Sequence, residues 1–263
     1  AKTIQKYHEA NLDGEIGIIL NLTPSYPRDE NNPADVKAAK NADAFFNRSF
    51  LDPSVKGTFP EELVEIVAEL NMFPEMEEGD LALIKENTVD LLGINYYQPR
   101  RVKAKESTKN NENAPMPDDY FDNYEKPGRK MNPYRGWEIY EKGIYDILTN
   151  VRENYGNIQC FISENGMGVE GEERFTDKNG KVQDDYRIDF VKDHLKYVHQ
   201  AIQEGSNCLG YHMWTCMDNW SWLNAYKNRY GFIAIDLDND AARTIKQSGE
   251  WFKTVSDNNG FDD

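Results

Sequence analysis

Cysteine, histidine and basic side chains are all scarce in this chain of 263 residues: 3 Cys, 4 His, and 30 Lys plus Arg against 46 Asp plus Glu. The carboxylate excess gives a net charge of −16. Nucleic acid and anionic membranes repel such a surface, so neither is expected as a partner. The cysteines, Cys160, Cys208 and Cys216, are odd in number and sit in apolar runs. They read as free, buried thiols of a reducing compartment. No signal peptide and no apolar run long enough to span a bilayer is seen, and cytoplasm is the expected location. His194 and His199 lie five apart on a helical stretch and share no face, so they make no zinc pair. There is no P-loop and no G-x-S-x-G. The run Gly166 to Gly171 matches the dinucleotide pattern G-x-G-x-x-G, but Glu170, Glu172 and Glu173 crowd it with negative charge and no helical pattern follows before Asp184. No cofactor and no metal is expected.

What is abundant is aromatic surface: 15 Tyr and 5 Trp. Flat amphipathic rings suit a sugar-binding cleft, although core packing absorbs most aromatics in any protein. At 30.4 kDa the chain can bury a full core, and residues 1–263 are expected to form part of one domain. Aliphatic runs at 14–22, 89–97, 158–164 and 208–217 predict buried strands. Helical spacing predicts helices at 1–10, from Pro33 to Phe50 with Val36, Ala39, Ala42, Phe46 and Phe50 on one face, from Pro60, over 80–86, over 137–155, from Asp184, and over 244–256. Residues 230–236 read as a short extended piece, and the polar stretch 100–135, punctuated by proline, reads as a lid or cleft wall. The 1–10 helix has no capping residue before it, so the chain is expected to begin part-way through a larger protein.

Strands alternating with helices mean parallel strands joined by crossovers, either a doubly wound sheet or a (β/α) barrel. The unusual residues favour the barrel. Asn95, Tyr96 and Tyr97, then Glu164, then Trp214 fall at or near the C-terminal ends of strands, where barrels gather their catalytic groups. A carboxylate at such a site, with a tyrosine to orient it and aromatic rings around it, suits glycoside hydrolysis, which needs two carboxyl groups flanking the scissile bond. Taken singly, Glu164 is an ordinary solvated glutamate, Tyr97 a packed tyrosine and Trp214 a core residue. Their joint placement at strand ends is what favours chemistry.

Those residues carry a resemblance. Ile162-Ser163-Glu164-Asn165-Gly166 resembles the (I/V)-(T/S)-E-N-G signature of glycoside hydrolase family 1, the family of β-glucosidases and 6-phospho-β-glycosidases. Leu92 to Tyr97 resembles its G-x-N-Y-Y motif, Gly210 to Trp220 its G-Y-x-x-W-S-x-x-D-N-F pattern, and Arg229-Tyr230-Gly231 its R-(F/Y)-G. Ala44 to Arg48 and Gly136 to Tyr140 are similar to further family segments. The resemblance implies a (β/α)8 TIM barrel of which this chain holds the C-terminal half, strands five to eight. It implies that Glu164 is the nucleophile of a retaining hydrolase, hydrogen-bonded by Tyr97, with Asn95 lining the cleft and Trp214 as sugar platform. The family's acid/base glutamate lies in an N-E-P motif that this chain lacks; Asn111-Glu112-Asn113 is the nearest string. The N-terminal half of the same barrel is therefore the implied partner, and without it the chain is expected to be inactive. Its two unpaired edge strands would otherwise pair with a second copy, giving a homo-oligomer, and Ile18, Leu20 and Leu92 are expected to be exposed as barrel-lining residues.

The implied substrate is a β-glycoside, free or 6-phosphorylated. Where β-glucosidases of the family resemble one another in having Glu-Trp, this chain has Ser221-Trp222. A carboxylate repels a phosphate dianion, whereas a serine hydroxyl donates to it. Ser221 and Tyr230 are similar to the phosphate site of the family's phospho-glycosidases, while the lysine of that site is here Asn228, with Lys227 beside it. The 6-phospho-β-glucosidase is the leading expectation. A β-glucosidase, a 6-phospho-β-galactosidase and, in a different class, a non-catalytic half-barrel that binds sugar or complements another chain stand as alternatives.

Overall fold

The computed structural model describes residues 1–107 and 116–262. Four parallel strands, Gly17–Asn21, Leu91–Asn95, Cys160–Asn165 and Cys208–Met213, lie side by side in sequence order. Parallel pairing requires a crossover, and helices supply it: Lys142–Asn154 after the second strand and Asp185–Gln203 after the third, with Gln247–Asn258 after the fourth. The sheet is open. Among the described residues the first and fourth strands each pair on one side only, so the expected (β/α) half-barrel and its two edges are present.

Strand alternation sorts the side chains. Leu92, Ile94, Cys160 and Ile162 are buried in one cluster with Ile144, Leu148, Val151 and Val198 from the crossover helices. On the inner face, a Cβ placed on Gly93 would stand 2.6 Å from Ile19 Cγ1 and 3.1 Å from Ser163 Oγ. This corrects the expectation for Ile18, Leu20 and Leu92. Leu92 is fully buried and Ile18 and Leu20 pack against the helix-side core; the exposed aliphatic of the edge strand is Ile19, at 56%. A one-residue difference in parity exchanges the two faces of a strand.

Other boundaries moved for identifiable reasons. Asn32 caps the helix Pro33–Asp43 by accepting from the Ala34 N–H at 3.0 Å, with Pro33 in the first turn. A π-turn over Ala44–Arg48 then inserts an extra residue, so Ala44, Asn47 and Leu51 turn inward while Phe46 and Phe50 are exposed. The helix expected over 137–155 begins at Lys142, because Glu138 is bridged to Met131 and its carboxylate takes Arg101 at 2.7 Å. The helix expected over 244–256 begins at Gln247, because Ala242–Ile245 pairs antiparallel with Ile233–Asp236. Described parts of the stretch 100–135 have structure of their own: Arg100–Lys103 joins Ser25–Pro27 and Asp122–Asn123 in a small sheet, with Val102 buried among Ala38, Ala42 and Phe121. Asn111-Glu112-Asn113 lies outside the described residues. Cys160 and Cys208 are buried free thiols as expected, but Cys216, beyond the end of its strand, is exposed. No helix among the described residues is long and apolar enough to cross a membrane.

Candidate active site

The third strand ends in Ser163, Glu164 and Asn165, and its register slips just there. Ile94 faces Ile162, yet the next residue, Asn95, faces Glu164. Such a bulge re-aims a side chain at the strand end. The neighbours on each side hold it. The Tyr96 N–H donates to the Glu164 carbonyl at 2.9 Å, the Asn165 amide donates to the Tyr96 carbonyl at 2.7 Å, and the Tyr211 hydroxyl donates to Asn165 Oδ1 at 2.7 Å. The Trp214 N–H donates to the Asn165 carbonyl at 2.8 Å. Gly166 permits this approach: a Cβ there would stand 2.0 Å from the Trp214 carbonyl oxygen.

Around Glu164 the expected companions assemble. The Tyr97 hydroxyl donates to Glu164 Oε2 at 2.7 Å. Burial, and then the hydrogen bond to Glu164, push the Tyr97 hydroxyl far above its ordinary pKa, so it remains a protonated donor to that carboxylate. The Ser163 hydroxyl donates to Asn95 Oδ1 at 2.7 Å, which fixes the Asn95 amide beside Glu164. Trp137 meets the Tyr97 ring edge-on at 5.6 Å and carries the Arg135 guanidinium 4.2 Å from its own ring centre. Trp214, half-buried, closes the fourth-strand end and is joined to Thr215 by a cis peptide. Trp137 and Arg135 stand beside this candidate site without having been expected there. Trp137 lay in a quoted family segment, but nothing in the local pattern said that it would reach Tyr97.

Behind this surface lies a buried ionic network that sequence reading did not assemble. Arg187 and Lys246, both fully buried, pair with Glu172, and Lys246 also reaches Asp218 at 2.9 Å. Burial alone would raise the Glu172 carboxyl, but Arg187 and Lys246 hold it below the usual carboxylate range. Asp218 accepts from the Gly231 N–H at 2.8 Å, and Arg187 donates to the Arg229 carbonyl at 3.0 Å. The network therefore ties the segment after Glu164 to the short strand Asn228–Arg229 that precedes Tyr230. It also explains Gly166 to Gly171: the glycines lead into a short strand, Val169–Glu170, and a 3-10 turn, Glu172–Phe175, with no phosphate-binding helix.

The four residues read as the sugar's outer contacts are spread along the segment after the fourth strand. Tyr230 is buried, its ring against Gly168. Asn228 is buried too, with its amide 3.4 Å from the Tyr134 carbonyl. Ser221 is held by paired backbone hydrogen bonds to Ala225, and Trp222 is 97% exposed. Lys227 faces Glu170 at 3.3 Å.

An oriented carboxylate among aromatic rings, at the C-terminal edge of parallel strands with outer helices, is the arrangement of a (β/α)-barrel glycosidase site. The chain belongs to glycosyl hydrolase family 1, whose model matches residues 1–261. It is 67% identical to "6-phospho-beta-glucosidase GmuD" of Bacillus subtilis (strain 168), across 99% of this chain and 56% of that protein. It is 34% identical to a 6-phospho-beta-galactosidase of Streptococcus mutans, across 98% of this chain and 57% of that protein. Among solved structures, a family 1 β-glucosidase from Thermotoga maritima superposes with a TM-score of 0.85 at 31% identity, over 100% of this chain and 55% of the other. The chain spans about half the length of the curated relatives it matches.

Proposed function

We propose that these residues form the nucleophile side of a retaining β-glycoside hydrolase acting on 6-phospho-β-glucosides. The observation that carries this reading is the 2.7 Å hydrogen bond from Tyr97 to Glu164 at the strand end. It orients the carboxylate, with one oxygen engaged, for attack on an anomeric carbon. In the mechanism, Glu164 displaces the aglycone to form a glycosyl ester, while a second carboxyl group about 5–5.5 Å away protonates the departing oxygen. Water, activated by that same group, then cleaves the ester. The second carboxyl belongs, in this reading, to the remaining strands of a single barrel domain, so the partner of this chain is the other half of its own barrel. Asn95 and Trp214 contact the sugar. Ser221, Trp222 and Tyr230 form its outer end; Asn228, turned toward the Tyr134 carbonyl, supports the segment that carries Tyr230.

Phosphorylated glucose as substrate is supported by Ser221, a donor without charge, and by the name of the 67% identical relative. The free-sugar reading draws on Asn228, which brings no cation. Paired kinetics in a full-length enzyme carrying this sequence discriminate between them. The kcat/KM for p-nitrophenyl 6-phospho-β-glucoside is expected to exceed that for p-nitrophenyl β-glucoside; the reverse order removes the phosphate reading. A 2-fluoro glycoside is expected to label Glu164, and labelling of another carboxylate overturns the nucleophile assignment.

A further inference from the structure

A phosphate dianion entering a protein of net charge −16 needs a cation close by to offset long-range repulsion. The basic residues flanking Tyr230 are already engaged: Lys227 faces Glu170 at 3.3 Å, and Arg229 lies 3.7 Å from Asp218 while donating to the Ile235 carbonyl. Arg135 differs. Among the described residues it has no carboxylate partner, and its Nε is enclosed with no hydrogen-bond partner. Its guanidinium stacks on Trp137, which touches Tyr97, which donates to Glu164. It is also near enough to Tyr230 that, while burial raises the pKa of the Tyr230 hydroxyl, Arg135 opposes that rise. Arg135 thus stands between the nucleophile and the outer end of the sugar, anchored by ring stacking and with donors to spare.

We propose that Arg135 is a specificity-determining residue of this site, its guanidinium binding the 6-phosphate of the substrate beside the Tyr230 hydroxyl. The inference rests on the phospho-glucosidase reading and adds the cation that Ser221, Asn228 and Tyr230 do not provide. A planar guanidinium offers paired donors to phosphate oxygens, and stacking on Trp137 reduces the side-chain freedom lost on binding.

The test compares wild type, Arg135→Gln and Arg135→Lys in the full-length enzyme, on p-nitrophenyl β-glucoside and its 6-phosphate. A hydrogen bond to a charged group implies that Arg135→Gln lowers kcat/KM for the phosphorylated substrate roughly 10- to 100-fold more than for the free one. The selective loss is expected chiefly in KM, with Arg135→Lys recovering part of it. Equal losses on both substrates would mean that Arg135 only supports Trp137 and Tyr97, and the inference falls. A wild-type preference for the phosphate that survives in Arg135→Gln overturns the inference and leaves the phospho-glucosidase reading standing. A wild type that prefers the free glucoside removes both.

Discussion

At the scale of single residues, the site depends on one carboxylate whose neighbours leave it little freedom. Glu164 receives Tyr97 through its side chain and Tyr96 through its carbonyl. Removing the proposed nucleophile and removing its donor should therefore have distinguishable effects. Glu164→Ala in the full-length enzyme is expected to abolish turnover, and added azide to restore a product of inverted configuration, because a small anion can occupy the vacated place. Tyr97→Phe keeps the ring that Trp137 packs against and loses only the hydroxyl. Its kcat is expected to fall roughly 10- to 100-fold, the worth of one hydrogen bond to a charged group, without azide rescue. Chromatographic assignment of the anomer, together with kcat for both variants, checks the pair. Azide rescue of Tyr97→Phe would mean that Tyr97 acts by shaping space.

At the scale of elements, the helix Asp185–Gln203 shows what was legible and what was not. Its apolar spacing was clear, and Val191 and Val198 are buried as that spacing requires. The same face also buries Arg187 and His194, which a hydrophobic pattern counts as solvent-facing. Arg187 is tolerated because Glu172 and Asp184, distant in sequence or on the previous turn, pair with it. The strand ends were legible because Asn95, Tyr97, Glu164 and Trp214 form local motifs. The Arg135–Trp137–Tyr97 contact was not, because it joins a loop to a strand end through tertiary packing. The π-turn at Ala44–Arg48 was illegible for a related reason: Asn47 leaves the helical register to exchange hydrogen bonds with the Thr23 backbone at 2.9 and 3.0 Å. His194 yields a pH prediction. Burial lowers its pKa to about 4, with Nδ1 on the Phe190 carbonyl and Nε2 unpartnered. Below the unfolded value of about 6.5 the unfolded chain takes up a proton that the fold refuses. Stability should be complete above about pH 6.5, fall between there and about pH 4 by up to about 3 kcal/mol, and change no further from this group at lower pH. Urea unfolding at intervals across that range, with His194→Gln as comparison, measures it; an unchanged slope in the variant would assign the pH dependence to other groups.

At the scale of the whole molecule, the four strands carry the proposed nucleophile and the sequence has no recognisable acid motif, and among the described residues both sheet edges are open. General acid–base assistance is typically worth roughly 10²–10⁴ in rate, and much of the sugar cleft would be absent as well. Residues 1–263 alone are expected to show no measurable glycosidase activity, and addition of the upstream half to restore it. Full activity of the segment alone would show that it contains its own acid. The placement of the strand bearing Glu164 governs how such a restoration would behave. Cys160–Asn165 is an inner strand, flanked by Leu91–Asn95 on one side and Cys208–Met213 on the other, so the Glu164–Tyr97 pair is set before any second piece arrives. What remains is an encounter between two polypeptides. Until the pieces saturate, turnover would track the product of their concentrations, so halving both would quarter the signal. Two such pieces attached to different proteins would then report on whether those proteins meet.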